Sequence, residues 1–412
     1  MPESNVLLLN RHLETMLATA LLDTPAVLIN GPRQSGKTTL AKQCAQGRPY
    51  ITLDDASVLA GVRADPQGFI RRTERAVIDE VQRAPELLLA LKLAIDDKRM
   101  PGRYLLTGSA NVMTLPNIAD SLAGRVEVHT LLPLSLSEIE QRPASFLDYL
   151  QTQQWPTVPD RPLLQGDALL DRVLAGGYPE VLHRATLARR QAWANAYVTT
   201  LIQRDIQDVA RMDDLAKVPP LLNSLALLSG QLLNLTQIGG QIGLNLRTVE
   251  RYIEVLEKLY LVRRLPAWGR NELGRLVKTP KVHLLDTGLQ STLLRLTPGL
   301  LQKDRQRLGA VLETWVFGEL LKALALSPDA WFLSHYRDKD QVEVDFVLES
   351  PLRQVIGIEV KASASVGMPD FKGLRRLRDQ CNGDFLTGIV LYDGERILPF
   401  GDGLWAVPLG MM

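Results

Sequence analysis

Cysteine is almost absent from this chain of 412 residues, in which Cys44 and Cys381 are the only two. Two cysteines cannot build a disulfide scaffold or a cysteine-rich zinc site, and such low use is typical of a reducing cytoplasm. No stretch approaches about 18 uncharged apolar residues, so we expect no membrane span. The N-terminus lacks a basic segment followed by an apolar core, so we expect no secretory signal. These absences predict a cytoplasmic protein.

The chain also has little excess charge. Its 47 Lys and Arg residues nearly balance 46 Asp and Glu residues, which leaves a net charge of +1. Without a global basic field, any contact with nucleic acid must come from local patches. Hydrophobic residues make up 46% of the chain, and the length suits roughly two to four domains, each with its own core.

The strongest motif is GPRQSGKT at residues 31–38, which fits the pattern G-x-x-x-x-G-K-[ST] of the phosphate-binding loop. The apolar run 26–29 predicts a buried parallel strand before the loop, and residues 38–42 predict the start of a helix. Lys37 is expected to reach the β- and γ-phosphates of a nucleoside triphosphate, and Thr38 to hold Mg²⁺. The alternative, a glycine-rich turn before a surface helix, is disfavoured by the strand. The residues predicted to bind ATP are Gly31, Pro32, Arg33, Gln34, Ser35, Gly36, Lys37, Thr38 and Thr39.

Residues 76–80 (AVIDE) predict a buried strand that ends in two carboxylates, which is the Walker B pattern. Asp79 lies 42 residues after Lys37, and this lag favours a strand beside the first one. We expect Asp79 to hold the Mg²⁺ ion and Glu80 to orient or deprotonate the attacking water. A buried strand with an acidic cap is the alternative.

Two further segments contain candidate catalytic residues of the same site. Residues 104–109 (YLLTGS) predict a fourth strand that ends in the hydroxyls of Thr107 and Ser109. Both are candidates for sensing the γ-phosphate, although an ordinary turn at Gly108 is an alternative. Arg125 precedes a predicted strand at 126–132. It is a candidate arginine finger that completes the site of a neighbouring subunit, with a solvent-exposed arginine as the alternative.

Residues 235–243 predict a short helix ending at Gly243, and residues 247–259 predict a second helix after a turn. Two short helices joined by a glycine-containing turn form a helix-turn-helix, and residues 261–265 would begin a wing strand. Base or phosphate contacts in this motif come from the start of the second helix, here Asn245, Arg247, Thr248 and Arg251. Further positive charge is expected from Arg263, Arg264, Arg270, Arg275 and Lys278. The motif predicts DNA contact, with a winged helix that packs against protein as the alternative.

Residues 341–348 and 355–361 predict two strands of a hairpin. Asp345 lies on the first strand, and Glu359 and Lys361 share one face of the second. The helix predicted at 308–325 adds Glu313. Asp345 and Glu359 would hold Mg²⁺, which activates water and neutralises a scissile phosphate, while Lys361 would stabilise charge. Glu343 shares the face of Asp345, so the second carboxylate stays open.

Two alternatives compete with this catalytic interpretation of the hairpin. Acidic and basic side chains on a half-exposed hairpin are often solvated cross-strand pairs. A fold derived from a nuclease can also bind DNA or other subunits without cutting. The histidines of the chain have no metal-ligand spacing.

Together, these motifs resemble one group of prokaryotic AAA-type ATPases that carry a C-terminal domain of unknown function. The segments concerned are GPRQSGKT, YITLDD at 50–55, VIDEVQ at 77–82, LLTGS at 105–109, LAGR at 122–125, GGYPEV at 176–181, LIQRDI at 201–206 and KTPKVHLLDTGL at 278–289. The resemblance implies an ATP-binding ring or dimer. The C-terminal cluster resembles the restriction-endonuclease-like PD-(D/E)xK pattern and is similar in layout to archaeal Holliday-junction resolvases. Val344 stands where that pattern has proline.

We therefore predict an α/β protein with four segments. These are an AAA-type P-loop core at 1–135, a helical extension at 136–230, a winged helix-turn-helix with a connector at 231–300, and a restriction-endonuclease-like α/β domain at 301–412. The predicted function is an ATP-hydrolysing homo-oligomer, a ring as the resemblance implies, that moves or remodels DNA such as Holliday junctions. An ATP-dependent regulatory switch of toxin–antitoxin type, with a C-terminal domain that only binds, is the alternative. A metal-dependent nuclease gated by ATP is a third possibility.

Overall fold

The computed structural model describes residues 9–109, 123–156, 162–206, 214–271, 275 and 278–412. The chain divides into two compact units, Met1–Pro143 and Ala144–Met412. Separate clusters of buried apolar side chains form the cores of the two units. Among the described residues, none of the helices combines the length and the apolar character needed to cross a membrane.

The first unit alternates helices and strands along the chain. Its strands are β1 (Ala26–Asn30), β2 (Tyr50–Thr52), β3 (Ala76–Asp79), β4 (Tyr104–Thr107) and β5 (Val126–Thr130). Its helices are α1 (Leu13–Asp23), α2 (Lys37–Gln43), α3 (Ala56–Ala64), α4 (Pro66–Arg72), α5 (Pro85–Asp97) and α6 (Leu136–Ile139). Within the described part of the chain, the strands form one parallel sheet of order β2-β3-β4-β1-β5. The short apolar runs of β1, β3 and β4 are buried along their whole length, as expected in a covered parallel sheet. The predicted α/β core with a parallel sheet is confirmed.

The strand order corrects one expectation. β3 does not lie beside β1, because β4 lies between them and pairs with both strands through Leu106. A lag of 42 residues is long enough for a crossover connection, but it does not say how many strands the crossover passes. As a consequence, the polar end of β4 lies between the phosphate loop and the acidic end of β3.

A buried ion pair ties the start of the described chain to the phosphate loop. Arg11 Nε donates to Glu138 Oε1 at 3.0 Å, and its two terminal nitrogens donate to the carbonyl oxygens of Ser35 and Leu132, both at 2.7 Å. The Glu138 carboxylate also accepts the backbone N–H groups of His12 and Ser135. Because Arg11 and Glu138 are both buried, this network holds the loop from behind.

The second unit begins with helices and continues into a small sheet. The helices are α7 (Phe146–Thr152), α8 (Gly166–Ala175), α9 (Pro179–Leu182), α10 (Leu187–Thr200) and α11 (Val218–Leu227). They are followed by β6 (Gln231–Leu232), α12 (Leu235–Ile242), α13 (Leu246–Lys258), β7 (Val262–Leu265) and β8 (Lys281–Leu284). Among the described residues, the three strands form an antiparallel sheet of order β6-β8-β7.

The pair α12 and α13 matches the two helices predicted at 235–243 and 247–259. The side chains of Asn234 and Asn245 cap the two helices by accepting the backbone N–H groups of Gln237 and Thr248. α12 ends at Gly243, whose φ of 70° is the left-handed conformation that favours glycine. Whether this pair and the small sheet act as a winged helix stays a prediction.

The rest of the second unit is a mixed sheet with flanking helices. Its elements are α14 (Thr287–Leu293), α15 (Pro298–Lys303), α16 (Arg305–Leu324), β9 (Phe332–Arg337), β10 (Glu343–Glu349), β11 (Val355–Lys361), α17 (Lys372–Gln380), β12 (Phe385–Tyr392), β13 (Leu398–Pro399) and β14 (Leu404–Pro408). Within the described residues the order is β13-β14-β12-β11-β10-β9. β10 and β11 pair antiparallel, as the hairpin pattern predicts, and β11 and β12 pair parallel.

Replacing Glu138 with alanine should open the phosphate loop locally, because it leaves the buried guanidinium of Arg11 without its carboxylate. Loss of one partner of a buried ion pair costs about 3–5 kcal/mol. We expect a corresponding increase in amide hydrogen exchange over residues 26–38, measured by mass spectrometry. The control is Glu74→Ala, which removes an exposed pair with Lys98 and should cost less than about 1 kcal/mol. Equal effects of the two substitutions would contradict the role of Arg11.

Candidate functional site

The phosphate loop connects the end of β1 to the start of α2. Within residues 31–38, positive φ angles occur at Gly31 (141°), Gln34 (60°) and Gly36 (96°). A Cβ atom at Gly31 would lie 2.3 Å from the carbonyl oxygen of Leu131, so only glycine fits at this position. At Gly31 the backbone therefore has a conformation that a residue with a side chain could not adopt.

Lys37 lies inside this curl. Its Nζ donates to the carbonyl oxygens of Gly31 at 3.0 Å and Pro32 at 2.7 Å. Burial lowers the pKa of the Lys37 ammonium to about 8, although nearby Glu80 opposes the shift. The Ser35 hydroxyl is buried, and it has no hydrogen-bond partner among the residues that the structure describes. A buried ammonium and a spare hydroxyl form a donor set that suits an anion such as a phosphate chain.

Asp79 is the point where several elements of the first unit meet. Its carboxylate accepts the hydroxyl of Thr38 at 3.0 and 3.1 Å, the hydroxyl of Tyr50 at 2.7 Å and the hydroxyl of Thr107. These donors come from α2, β2 and β4, while Asp79 ends β3. Sequence reasoning did not assign Tyr50 to the site, although its hydroxyl stands in the YITLDD segment. Burial and the hydrogen bond to Asp79 raise the pKa of Tyr50.

Glu80 has its own set of contacts just beyond β3. Its φ of 61° is left-handed, a conformation that non-glycine residues adopt mainly in turns and at functional sites. Its carboxylate accepts the Ser109 hydroxyl at 3.2 Å and the Gln82 side-chain amide, and Gln82 also donates to Ser109 at 2.8 Å. The backbone N–H of Glu80 donates to Thr107 at 3.1 Å. Thr107 and Ser109 thus each contact one carboxylate of the VIDE segment, and Gln82 is a site residue that sequence reasoning missed.

Arg125, the candidate arginine finger, is bound within its own chain. Its Nε and Nη2 donate to the two carboxylate oxygens of Asp96 at 2.6 and 3.0 Å. Nη1 donates to the carbonyl oxygen of Ala123 at 3.0 Å. The guanidinium is partly exposed, so contact with the nucleotide of a neighbouring subunit would have to compete with Asp96.

The candidate DNA-binding residues lie at the start of α13. Arg247 and Arg251 are exposed, Thr248 is partly exposed, and Asn245 is exposed while its side chain caps the helix. The guanidinium of Arg251 lies over the ring of Tyr252, 5.7 Å from its centre.

Three of the five basic side chains expected to add positive charge after α13 pair with carboxylates, so the sequence overestimates the charge available there. Arg264 pairs with Glu257 at 2.7 Å, Arg270 with Asp384 at 3.2 Å and Arg275 with Glu349 at 2.6 Å. Lys278 donates to the Trp268 carbonyl oxygen, and Arg263 is exposed. The partners of Arg270 and Arg275 lie 114 and 74 positions away in the chain, so a count of basic residues in the sequence could not reveal them.

The structure brings the predicted acidic residues of the C-terminal segment together. Asp345 accepts the backbone N–H of Val360 at 2.9 Å, and its charge acts on the nearby carboxyl group of Glu359. Lys361 Nζ lies 3.9 Å from Glu359 Oε2. Glu313 joins from α16 through Lys281. We call Glu313, Glu343, Asp345 and Glu359 the acid cluster.

Lys281 is the residue of this cluster that sequence reasoning missed. Its Nζ lies 2.8 Å from Glu313 Oε1, 3.7 Å from Asp345 Oδ1 and 3.9 Å from Glu343 Oε2. The one available signal was a charged residue at the start of the short strand β8. Burial opposes the charge on Lys281, but Glu313 and Asp345 outweigh it and raise its pKa.

Burial also changes the pKa values of carboxyl groups in the acid cluster. Burial and the nearby charge of Asp345 raise the pKa of Glu313 to about 8. The same two causes raise the pKa of Glu359 well above its usual range. Among the described residues, no group of three or more His, Cys, Asp or Glu side chains is arranged to hold a metal ion. The arrangement around Lys281 therefore does not fit the Mg²⁺ ion expected at Asp345 and Glu359.

Comparison with known protein families divides the chain into three matched regions. Residues 23–140 match the family described as AAA domain. Residues 166–299 match a domain of unknown function, DUF8612, and residues 308–412 match another, DUF4143.

Two uncharacterized mycobacterial proteins are similar along nearly the whole chain. They are Mb2031c of Mycobacterium bovis and Rv2008c of Mycobacterium tuberculosis, each 29% identical over 409 residues, which is 98% of this chain and 85% of the relative. Because neither has a described activity, they add no function to that of the matched domains.

Three solved structures share lower similarity. The Walker-type ATPase PABY2304 of Pyrococcus abyssi is 15% identical, with 69% of this chain and 94% of that chain covered and a TM-score of 0.41. The RuvB Holliday junction branch migration motor of Thermotoga maritima is 17% identical, with 64% and 93% covered and a TM-score of 0.29. The ORC1 protein of Aeropyrum pernix, solved in complex with DNA, is 17% identical, with 73% and 97% covered and a TM-score of 0.28. These scores are too low to establish a common overall fold.

The family match of residues 23–140 supports an ATPase of the AAA type in the first unit.

Proposed function

We propose that this protein hydrolyses ATP at the phosphate loop and uses the hydrolysis cycle to act on DNA. The observation that carries the proposal is the arrangement at the end of β3. There, Asp79 collects hydroxyls from the phosphate-loop helix and two strands, and Glu80 lies beside it with Ser109 and Gln82. A buried ammonium, a hydroxyl next to a carboxylate and a second, partly exposed carboxylate form the set that phosphoryl transfer to water needs.

The loop residues divide the work of binding the triphosphate. Backbone N–H groups of Gly31, Arg33 and Gly36 would surround the phosphates. Lys37 would exchange its contacts with carbonyl oxygens for contacts with phosphate oxygens. Thr38 and Asp79 already lie within hydrogen-bond distance of each other, and they would hold Mg²⁺. When bound, Mg²⁺ would neutralise the charge of the phosphates.

Glu80 is the residue that we assign to the attacking water. Its carboxylate would orient that water or accept its proton, and Ser109 and Gln82 position the carboxylate from the other side. Thr107 contacts both Asp79 and the backbone of Glu80. Loss of the γ-phosphate would change the contacts of Asp79 and Glu80, and Thr107 at the end of β4 would move with them. We therefore assign to Thr107 the role of sensing the γ-phosphate.

The proposal includes an oligomer in which Arg125 acts between subunits. Arg125 is partly exposed and its planar fork already binds one carboxylate, Asp96. The same fork would suit a phosphate of the neighbouring nucleotide, where it would stabilise the charge of the transition state.

DNA contact is proposed for the surface around the start of α13. Arg247 and Arg251 are exposed there, and Asn245 fixes the start of the helix as its cap. In a helix-turn-helix this end of the second helix meets base edges and phosphates. With the sheet β6-β8-β7 behind it, we interpret this segment as a winged helix, and the C-terminal domain as a nuclease-like fold that binds branched DNA.

A regulatory ATP switch is the second candidate function. It is favoured by the internal pairing of Arg264, Arg270 and Arg275 with carboxylates, which leaves less positive charge for phosphates than the sequence suggests. In this case the segment with α12 and α13 would bind a partner protein or a promoter, and ATP would control that contact.

Replacing Glu80 with glutamine should abolish most of the ATP hydrolysis while ATP still binds. The amide keeps the shape of the side chain but cannot accept a proton, and loss of a general base typically costs about 10²–10⁴-fold in rate. Phosphate release and the binding of a fluorescent ATP analogue measure the two effects separately. Glu74→Gln, which changes an exposed carboxylate of the same unit, is the control. Full activity of the Glu80→Gln variant would remove Glu80 from the mechanism.

ATP binding should weaken as the pH rises above about 8. Because burial lowers the pKa of Lys37 to about 8, the free protein loses this proton above that pH, whereas bound phosphate would retain it. Affinity should be constant at lower pH and then fall by up to about tenfold per pH unit. Titration calorimetry in buffers of different ionisation enthalpy should show proton uptake on binding.

The matched variant for this experiment is Lys37→Arg, because a guanidinium stays protonated over the same pH range. Its affinity should not depend on pH in this window. Lys98→Met, which removes an exposed lysine, should keep the pH dependence of the parent. Binding to the parent protein that is independent of pH and takes up no proton would contradict the assignment.

Four-way or forked DNA should bind the protein and stimulate its ATPase. Arg247→Ala should weaken this binding and reduce the slope of log K against log salt by about 1, because one phosphate contact is lost. Fluorescence anisotropy with linear, forked and four-way DNA measures both quantities. Arg305→Ala, an exposed arginine of α16, is the control. If no DNA shape binds or changes the ATPase rate, the DNA-directed function is wrong and the switch is favoured.

A further inference from the structure

The acid cluster of the second unit already contains a cation, and that cation is a side chain. Lys281 Nζ contacts Glu313 at 2.8 Å and lies within 4 Å of two further carboxylates, at 3.7 Å from Asp345 and 3.9 Å from Glu343. Only 5% of the Lys281 side chain is exposed. The ammonium thus stands where carboxylates from α16 and β10 converge.

The backbone holds Lys281 firmly in this place. It is the first residue of β8, whose neighbours on its two sides are Leu232 of β6 and Leu265 of β7. His283 follows two residues later, so its side chain points to the same face of the strand. The ring of His283 is fully buried and stacks on Phe317 of α16 at 4.4 Å between ring centres. Packing therefore fixes β8 against the helix that carries Glu313.

Other carboxylate oxygens of the cluster also have partners. Asp345 Oδ2 accepts the backbone N–H of Val360 at 2.9 Å, and Glu343 Oε1 lies 3.0 Å from Arg337 Nη1. Lys361 Nζ lies 3.9 Å from Glu359 Oε2. A divalent cation at this point would be repelled by the buried ammonium, and it would have to displace these partners to exchange its water shell for carboxylate oxygens.

We propose that Lys281 is the built-in counter-ion of the acid cluster and takes the place that a divalent metal ion would need. The cluster then serves as an ion-pair link between β8 and the elements α16 and β10, and the second unit binds no catalytic metal ion there. These carboxylates can bind a divalent cation only when the Lys281 ammonium is removed. This inference is independent of ATP hydrolysis and of DNA binding.

The test is Mn²⁺ binding to the full chain without nucleotide, measured by electron paramagnetic resonance for the parent and for Lys281→Met. The phosphate loop is the same in both proteins, so any difference reports on the cluster. We expect Lys281→Met to gain one Mn²⁺ ion, bound at least about tenfold more tightly than any ion in the parent. Adding Asp345→Asn should remove the gained ion. Lys322→Met, which removes a half-buried ammonium paired with Glu319, should gain none.

A second measurement, the Tm of thermal unfolding with and without Mn²⁺, tests the proposal even if the Lys281→Met variant is less stable than the parent. Three carboxylates would lose their counter-ion, so we expect a lower Tm for this variant and recovery of the Tm on addition of Mn²⁺. The Tm of the parent protein should not rise on addition of Mn²⁺ through binding at the acid cluster. Lys281→Arg keeps the positive charge and should behave as the parent does. The proposal is overturned if the parent binds Mn²⁺ in a way that Asp345→Asn abolishes, or if Lys281→Met gains neither bound Mn²⁺ nor stability from it.

Discussion

The buried carboxylate of Asp79 is the group on which the organisation of the first unit depends. A carboxylate can be buried only if hydrogen-bond donors replace its water. Here the donors are hydroxyls from three different elements, Thr38 of α2, Tyr50 of β2 and Thr107 of β4. The sheet order puts these elements around the end of β3, so the fold and the site satisfy one and the same requirement. Each of these contacts is also one that a bound nucleotide could alter.

Local patterns were enough to predict much of the molecule. The loop 31–38, the apolar strands before and after it, and the hairpin of β10 and β11 each rest on contiguous residues whose spacing reflects backbone geometry. Position in the sheet is different, because it depends on pairing between distant segments. For this reason the sequence could not place β4 between β1 and β3, nor bring Tyr50 to Asp79.

Ion pairs were the weakest part of the sequence interpretation, and the physical reason is their range. Arg11 and Glu138 are 127 positions apart, and Arg270 and Asp384 are 114 apart. A basic residue therefore looks free in the sequence until the fold supplies its carboxylate. For the same reason the sequence did not reveal the role of Lys281, whose carboxylate partners come from α16 and β10. Charge patches counted along a chain are thus upper limits on the charge that a folded surface presents to DNA.

Lys37 and Lys281 are both buried, and they differ in how their charge is compensated. The Lys37 ammonium donates to two backbone carbonyl oxygens, and burial lowers its pKa although nearby Glu80 opposes the shift. Lys281 lies among carboxylates that raise its pKa, so its charge is already matched. A protein stabilises a buried charge either with its own counter-ion or with a ligand. The phosphate loop has the electrostatics of an anion-binding site, whereas the acid cluster has those of a structural ion-pair contact.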